Sequence, residues 1–399
     1  MPSPPLAGVR VVEVGNYMAG PFCAMQLADL GADVIKVESP AAGGDEVRKT
    51  GPFLDGESSN FVRLNRNKRS LALDLKAPEG KEVFRRLVAT ADVIVENLRP
   101  GTMRDLELDY STLSALNPML VYVAASGWGQ AGPYSQLAGL DIMAQGMSGL
   151  MSITGQPGGD PVKVGVPVTD LVCALYGALA AVSALQARER DGRGQFIDVC
   201  LLEAGVSLAV WEAGKFFATG EVPRPLGSAH QTSAPYQAIR AADGYFTVGA
   251  TSIRNWAAFC EVVGHQEWVA DERFADNPSR HRNRPVLIPL IEEVTSGRPM
   301  AHWIDALQAA GVPCGAIQDY GQVFGDPHLA AREFFWRAPH ATLGEVEQLG
   351  SPMRFSATAV VRDHAGPLFG EHSAEVLGQL GYPAAEVDRL TQAGIIVRP

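Results

Sequence analysis

The first 130 or so residues alternate short β-branched runs with stretches of helical spacing, and this alternation limits the possible folds more than any other feature. Val9–Val14 (VRVVEV) lies between Gly8 and Gly15 and predicts a buried strand. Met18 to Leu30 has helical spacing, with Met25, Leu27 and Leu30 on the apolar side. Ala32–Val37 (ADVIKV), Asp92–Glu96 (DVIVE) and Met119–Ala125 (MLVYVAA) predict further strands, and Pro78–Ala89 a helix. Such spacing implies βαβ units, hence an α/β protein with a Rossmann-like parallel sheet and helices on both faces. Ligands then bind beyond the C-terminal ends of the strands.

Later segments extend this plan. Gly194–Val199 predicts another strand, followed by a helix near Leu202. From Thr219 to Gln237 the period is lost in TGEVPRPLGSAHQTSAPYQ, which reads as a linker and mobile loop. Tyr245–Gly249 and Trp256–Val263 open a smaller α+β unit, with helices at Pro285–Thr295 and Met300–Ala310 and a short strand near Pro313–Gln318. After Asp326-Pro327 come strand-like pieces and a helix at Glu371–Leu380. The expected division is a large domain over 1–220, a small domain over 221–325, and a return to the large domain over 326–399.

Net charge is −11, which argues against non-specific binding to nucleic acid or to an anionic membrane, since both need a basic face. The five cysteines are widely spaced and include no C-x-x-C pair, as expected of buried thiols in a reducing compartment rather than a disulfide frame or zinc site. The opening MPSPPLAGVR lacks the pattern of a signal peptide, so a cytoplasmic protein is expected. Val172–Ala187 reads as too short and too rich in small residues for a membrane span, and therefore as a buried helix. The eight histidines show no metal-ligand spacing. G-x-G-x-x-G, G-x-x-x-x-G-K-[ST], H-E-x-x-H and G-x-S-x-G are all absent.

Two stretches carry candidate chemistry. In KVGVPVTDLVCALYGALAAVSALQA (163–187), Asp170 stands where an apolar helical run begins. It reads as an N-cap or as a reactive carboxylate, and the two are compatible, because donors at a helix start would keep it ionised. The densest basic run, Arg63 to Ser70, reads either as a solvated face or as a loop holding a phosphate.

The chain resembles the class III CoA-transferases over nearly its whole length. The resemblance rests on PLAGVRVVEVGNYMAGPFCAMQLADLGADVIKVE, NRNKRSLALDLKAPEGKEVFRRLVATADVIVENLRPG, SGWGQAGPY, DIMAQGMSGLMSITG, GVPVTDLVCALYGALAAVSALQARERDGRGQFIDVCLLEA, GVPCGAI and LGEHSAEVLGQLG, in that order. It implies an enzyme that moves CoA from an acyl-CoA to a small carboxylic acid. CoA would be a co-substrate, and no permanent cofactor or metal would be needed. Asp170 would be the nucleophile, passing through an aspartyl anhydride and an aspartyl-CoA thioester. It further implies CoA contacts at Asn67, Lys68, Arg69, Leu73, Asp74, Leu75, Lys76, Asn97, Leu98, Arg99 and Arg104. A substrate pocket is expected from Asn16, Tyr17, Met18, Ala19, Leu140, Asp141 and His230. Members of the family form interlocked homodimers. The texture of GQPGGDPVKVGVPVTD is similar to the branch using succinyl-CoA and short dicarboxylic acids.

Two other functions compete. An α-methylacyl-CoA racemase of the same fold needs two acid–base groups. Its A-G-H-D pattern reads Ala138-Gly139-Leu140-Asp141 here, and leucine moves no proton. A non-enzymatic CoA-binding module would have no need of Asp170.

Overall fold

Six parallel strands make the frame of the first compact unit: β1 (Arg10–Val14), β2 (Asp33–Glu38), β3 (Lys68–Leu73), β4 (Val93–Glu96), β5 (Val121–Ser126) and β6 (Phe196–Cys200). They lie in the order β3-β2-β1-β4-β5-β6. A two-residue strand, Ile396–Val397, closes the β3 edge antiparallel. This is the doubly wound order, which reverses direction between β1 and β4. The computed structural model describes residues 3–399; Met1 and Pro2, where the signal-peptide reading begins, lie outside the described residues.

Successive side chains of a strand point to opposite faces, so a strand buried on both sides is apolar throughout. On one face Val11, Val34, Val93 and Val95 meet helix α1 (Ala19–Asp29), and Val121 and Val123 continue the same apolar cluster. On the other, Val12, Ile35, Leu71, Leu73 and Ile94 meet Phe84 and Leu87 of helix α2 (Pro78–Val88), joined by Val376 and Leu377 from the helix Ser373–Gln379. Two shorter helices of this unit are α3 (Asp141–Met147) and α5 (Leu201–Ser207). Between them in the chain lies α4 (Val168–Asp191).

Helix α4 corrects one expectation. It has 24 residues, because Arg188 and the charged turn around it extend the apolar run. By length and composition it is long enough to cross a membrane. Its small-residue stripe (Ala174, Ala178, Ala181, Ala184) is part of the core beside α1 and the sheet. Arg188 anchors the far end on Asp92 at 2.8 Å. Strand β3 corrects another. The basic run was expected to be a loop or solvated face, yet Lys68–Leu73 is an interior strand.

Among the described residues, the first unit spans 3–150, 163–217 and 330–399, and the second spans 151–162 and 218–329. The excursion at 151–162, assigned to the large domain from sequence, thus groups with the smaller unit. That unit holds a three-stranded sheet: a hairpin of β7 (Tyr236–Ala241) and β8 (Gly244–Gly249), edged by β9 (Cys314–Ala316). Phe246, Trp256, Phe259, Phe274 and Trp303 fill its core. Arg280 is fully buried there; its guanidinium donates to the carbonyls of Ala234, Phe274 and Thr251 and lies over the Trp256 ring. Residues 220–235 carry no helix or strand, in keeping with the loss of period.

Candidate active site

The switch point between β1 and β4 is built by two loops locked together. The Asn97 side-chain oxygen Oδ1 accepts the Asn16 backbone N–H at 2.9 Å, and its Nδ2 donates to the Asn16 backbone carbonyl at 2.8 Å. That pairing explains two glycines. A Cβ at Gly15 would stand 3.0 Å from the Asn97 oxygen, and one at Gly20 only 2.8 Å. Tyr17 takes a left-handed φ of 61°, unusual for a side chain of its size, and its N–H donates to Asp45 at 3.1 Å.

Beneath this loop lies a buried charge cluster. The Lys36 ammonium donates to Glu13 at 2.6 Å and to the Gly15 carbonyl at 2.8 Å, and is ion-paired with Asp45 at 2.8 Å. The Lys68 ammonium reaches Glu13 at 2.7 Å, and the Pro21 carbonyl and Asn65 each at 2.8 Å. Burial alone would pull Lys36 down, but Glu13, Asp45 and Glu38 outweigh it and hold this lysine above its usual range. Lys68 is pushed down to about 8, chiefly by burial and further by Lys36, with Glu13 opposing. Two acids and two bases sum to zero charge, and the cluster's contacts with Gly15, Tyr17 and Pro21 fix the loop.

Asp170 sits at the third position of α4, in its first turn. It is not the N-cap: that residue is Pro167, which makes no side-chain cap bond. The capping work is done from α3 instead. One carboxylate oxygen of Asp141 accepts the Thr169 N–H at 3.0 Å and its hydroxyl at 2.7 Å. Among the described residues the donors expected at the helix start are not found on the Asp170 carboxylate. Burial, and then the charge of Asp141, push its pKa up to about 7. Ala19 packs in one cluster with Cys173, which lies about one helical turn past Asp170, so the loop after β1 and the carboxylate share one end of the sheet.

Several residues of the basic run are committed elsewhere. Lys68 is 0% exposed, within the charge cluster. Arg69 pairs with Asp33 at 2.6 Å and Glu375 at 3.1 Å. Asn67 donates to Asp29 and the Val361 carbonyl, and accepts the Asp363 N–H. Leu73 points into the core of the sheet. These four side chains are thus engaged within the fold, and Lys68, the one fully buried charge among them, keeps its partners because losing them would strand it in a low dielectric. Ala19 is also turned into the core, and can meet a substrate only through its backbone.

The strand ends keep open groups. Asp74 accepts the Lys76 N–H at 2.9 Å, and the exposed Lys76 has no carboxylate partner among the described residues. Leu75 and Leu98 are half-buried against the core, and Arg99 donates to the Gln136 carbonyl. Arg104 is exposed and likewise without a carboxylate partner among the described residues. Met18 is half-buried at the start of α1, and Leu140 is exposed just before α3. His230 belongs to the second unit. Its ring stacks on Tyr236 at 4.7 Å, and its carbonyl accepts from Arg284.

Four residues escaped the sequence reading: Glu13, Lys36, Asp45 and Gln145. For the first two a signal existed, since a Glu in VRVVEV and a Lys in ADVIKV break otherwise apolar strands. Glu96, quoted only as part of a turn, is buried, and its carboxylate accepts the Leu98 N–H at 2.7 Å. Burial and then Asp198 push it up to about 7.

The family model described as CoA-transferase family III matches residues 6–373. The chain is 35% identical to the succinyl-CoA:glutarate CoA-transferase of Mus musculus, over 98% of this chain and 90% of the relative. It is 37% identical to the succinate--glutarate CoA-transferase of Agrobacterium fabrum, over 94% of this chain and 96% of the relative. The crystal structure of a CAIB/BAIF family protein from Brucella suis superposes with a TM-score of 0.85 at 38% identity, covering 95% of this chain and all of that one.

Proposed function

The chain belongs to CoA-transferase family III, and on that premise we propose that it moves CoA from succinyl-CoA, or a similar short dicarboxylyl-CoA, to a free carboxylic acid through Asp170. The observation that carries this reading is the placement of that carboxylate. It stands in the first turn of α4, beside Asp141 rather than a cation, and is pushed up to about 7. A carboxylate neutralised by an Arg would be stable and weakly nucleophilic. One raised by burial is more basic, and still ionised in good part at neutral pH.

The Asp170 carboxylate attacks the thioester carbonyl and expels the CoA thiolate, leaving an acyl-aspartyl anhydride. The thiolate attacks the aspartyl carbonyl, releases the donor acid and leaves an aspartyl-CoA thioester. The acceptor carboxylate attacks that thioester and displaces the thiolate again. Attack of the thiolate on the acceptor's carbonyl in the second anhydride then yields the new CoA ester and restores Asp170. No proton is consumed, and the thioester's activation never leaves a covalent bond. The phosphates of CoA meet Lys76, Arg99 and Arg104, the open cations at the strand ends, while the locked Asn16–Asn97 loops border the pantetheine.

A second copy of the chain completes the assembly. Leu175, Tyr176 and Leu179 on α4, with Val210, Trp211 and Phe217 on the helix Val210–Thr219, are large and exposed, as expected of surfaces a partner covers. A cytoplasmic setting belongs to the same proposal and is supported by the five free cysteines. The racemase reading loses support from Leu140 at its required base.

The test is direct. Succinyl-CoA and glutarate should give glutaryl-CoA and succinate, and acid-quenched digests should carry CoA on the peptide containing Asp170. Asp170→Ala should cut turnover by at least about 10⁴-fold. Turnover at the parent rate would end the proposal, and rapid α-deuterium exchange into a 2-methylacyl-CoA would favour the racemase.

A further inference from the structure

We propose that Gln145 is a positioning residue for the nucleophile, its one amide fixing both the segment that leads into α4 and the carboxylate that caps α4. The proposal rests on Asp170 being that nucleophile. Gln145 lies one helical turn past Asp141 on α3 and is 0% exposed. Its side-chain oxygen Oε1 accepts the Val164 N–H at 2.8 Å. Its amide donates to Asp141 Oδ2 at 2.6 Å and, more weakly, to the Val166 carbonyl at 3.5 Å.

Residues 163–167 form no strand or helix, so no sheet ladder holds them. An N–H and a C=O two residues apart on one chain are the pair that a neighbouring strand would engage. Here a side-chain amide takes the strand's place. Asp141, held by Gln145 through one oxygen, uses the other to accept both donors of Thr169, the residue before Asp170. Two routes from the same amide therefore converge on the first turn of α4, one along the backbone and one through Asp141. Glutamate could still accept from Val164, but as a carboxylate it has no N–H for Asp141 and would add a third negative charge.

The experiment follows CoA loading onto Asp170 from succinyl-CoA in single-turnover quench flow, in the full-length wild type, Gln145→Met and Gln145→Glu. A residue that merely supports the fold changes how many molecules react. A positioning residue changes how fast each one does. Both variants should load to the wild-type amplitude about 10- to 100-fold more slowly, with donor KM within about threefold. Wild-type loading rates in Gln145→Met would overturn the role of Gln145 alone. Should Gln145→Met fail to fold, Gln145→Glu decides by the same criterion: slow loading at full amplitude supports the proposal, and an unchanged rate overturns it. Absence of CoA on Asp170 in the wild type would overturn the nucleophile assignment, and this proposal with it.

Discussion

Two groups of ionisable side chains stand at the same end of the main sheet, and they are built on opposite rules. Under the loop after β1, Glu13 and Asp45 meet Lys36 and Lys68 in a neutral, buried set that ties down Gly15, Tyr17 and Pro21. At the start of α4, Asp141 and Asp170 face each other, and among the described residues no cation pairs with either. Balanced charge gives rigidity, because every change of protonation is opposed by a neighbour. Unbalanced charge gives reactivity, because ionising Asp170 costs free energy that nucleophilic attack releases. The reacting carboxylate thus has a stiff neighbour, and its own instability is confined to one side chain.

The comparison can be broken at the balanced side first. Lys36→Met should leave Glu13 and Asp45 buried without their shared cation and lower stability by about 3–5 kcal/mol, measured by urea unfolding. A loss under about 1 kcal/mol would mean that the cluster is not under the electrostatic constraint described. At the unbalanced side the sign reverses. Asp170 holds its proton more tightly folded than unfolded, so stability falls as pH rises from about 4 to about 7, and the penalty is complete above that. Asp170→Asn should therefore gain up to about 4 kcal/mol at pH 8 and little near pH 3.5, while losing turnover. Equal effects at both pH values would remove the charge argument.

The subtlest test sharpens the contrast. Since the anion of Asp170 is the attacking form, kcat/KM should fall about tenfold per pH unit below about 7. Asp141→Asn keeps an acceptor for Thr169 but removes the opposing charge, so the acid limb should move to lower pH. Burial, the larger cause, remains, and the limb should not return to the ordinary range of aspartate.

What the sequence disclosed follows the same division. Strands β1, β2, β4 and β5 were legible because they are buried by apolar side chains, which leave a local pattern. Strand β3 was hidden, because Lys68 and Arg69 are buried by charge pairing with Glu13 and Asp33, and those partners lie 55 and 36 residues away. The same distance problem concealed the role of Asp141, which takes over a cap that local reading assigned to Asp170, 29 residues later in the chain. Asp170 was findable as a candidate from its place before an apolar run. Its raised proton affinity was not, since that arises from burial and from a carboxylate on another helix.

Close packing between α1 and α4 reaches one further property, resistance to oxidants. A Cβ at Gly177 would stand 3.2 Å from the Cys23 sulfur, so there is little space beside that thiol. Cys23, Cys173 and Cys200 are all buried, and burial raises each thiol above its usual titration range, Cys23 and Cys173 furthest. Peroxide attacks thiolates that it can reach, and these are neither ionised nor accessible. The folded enzyme should therefore keep working through a peroxide exposure that modifies the same three sulfurs readily once the chain is unfolded.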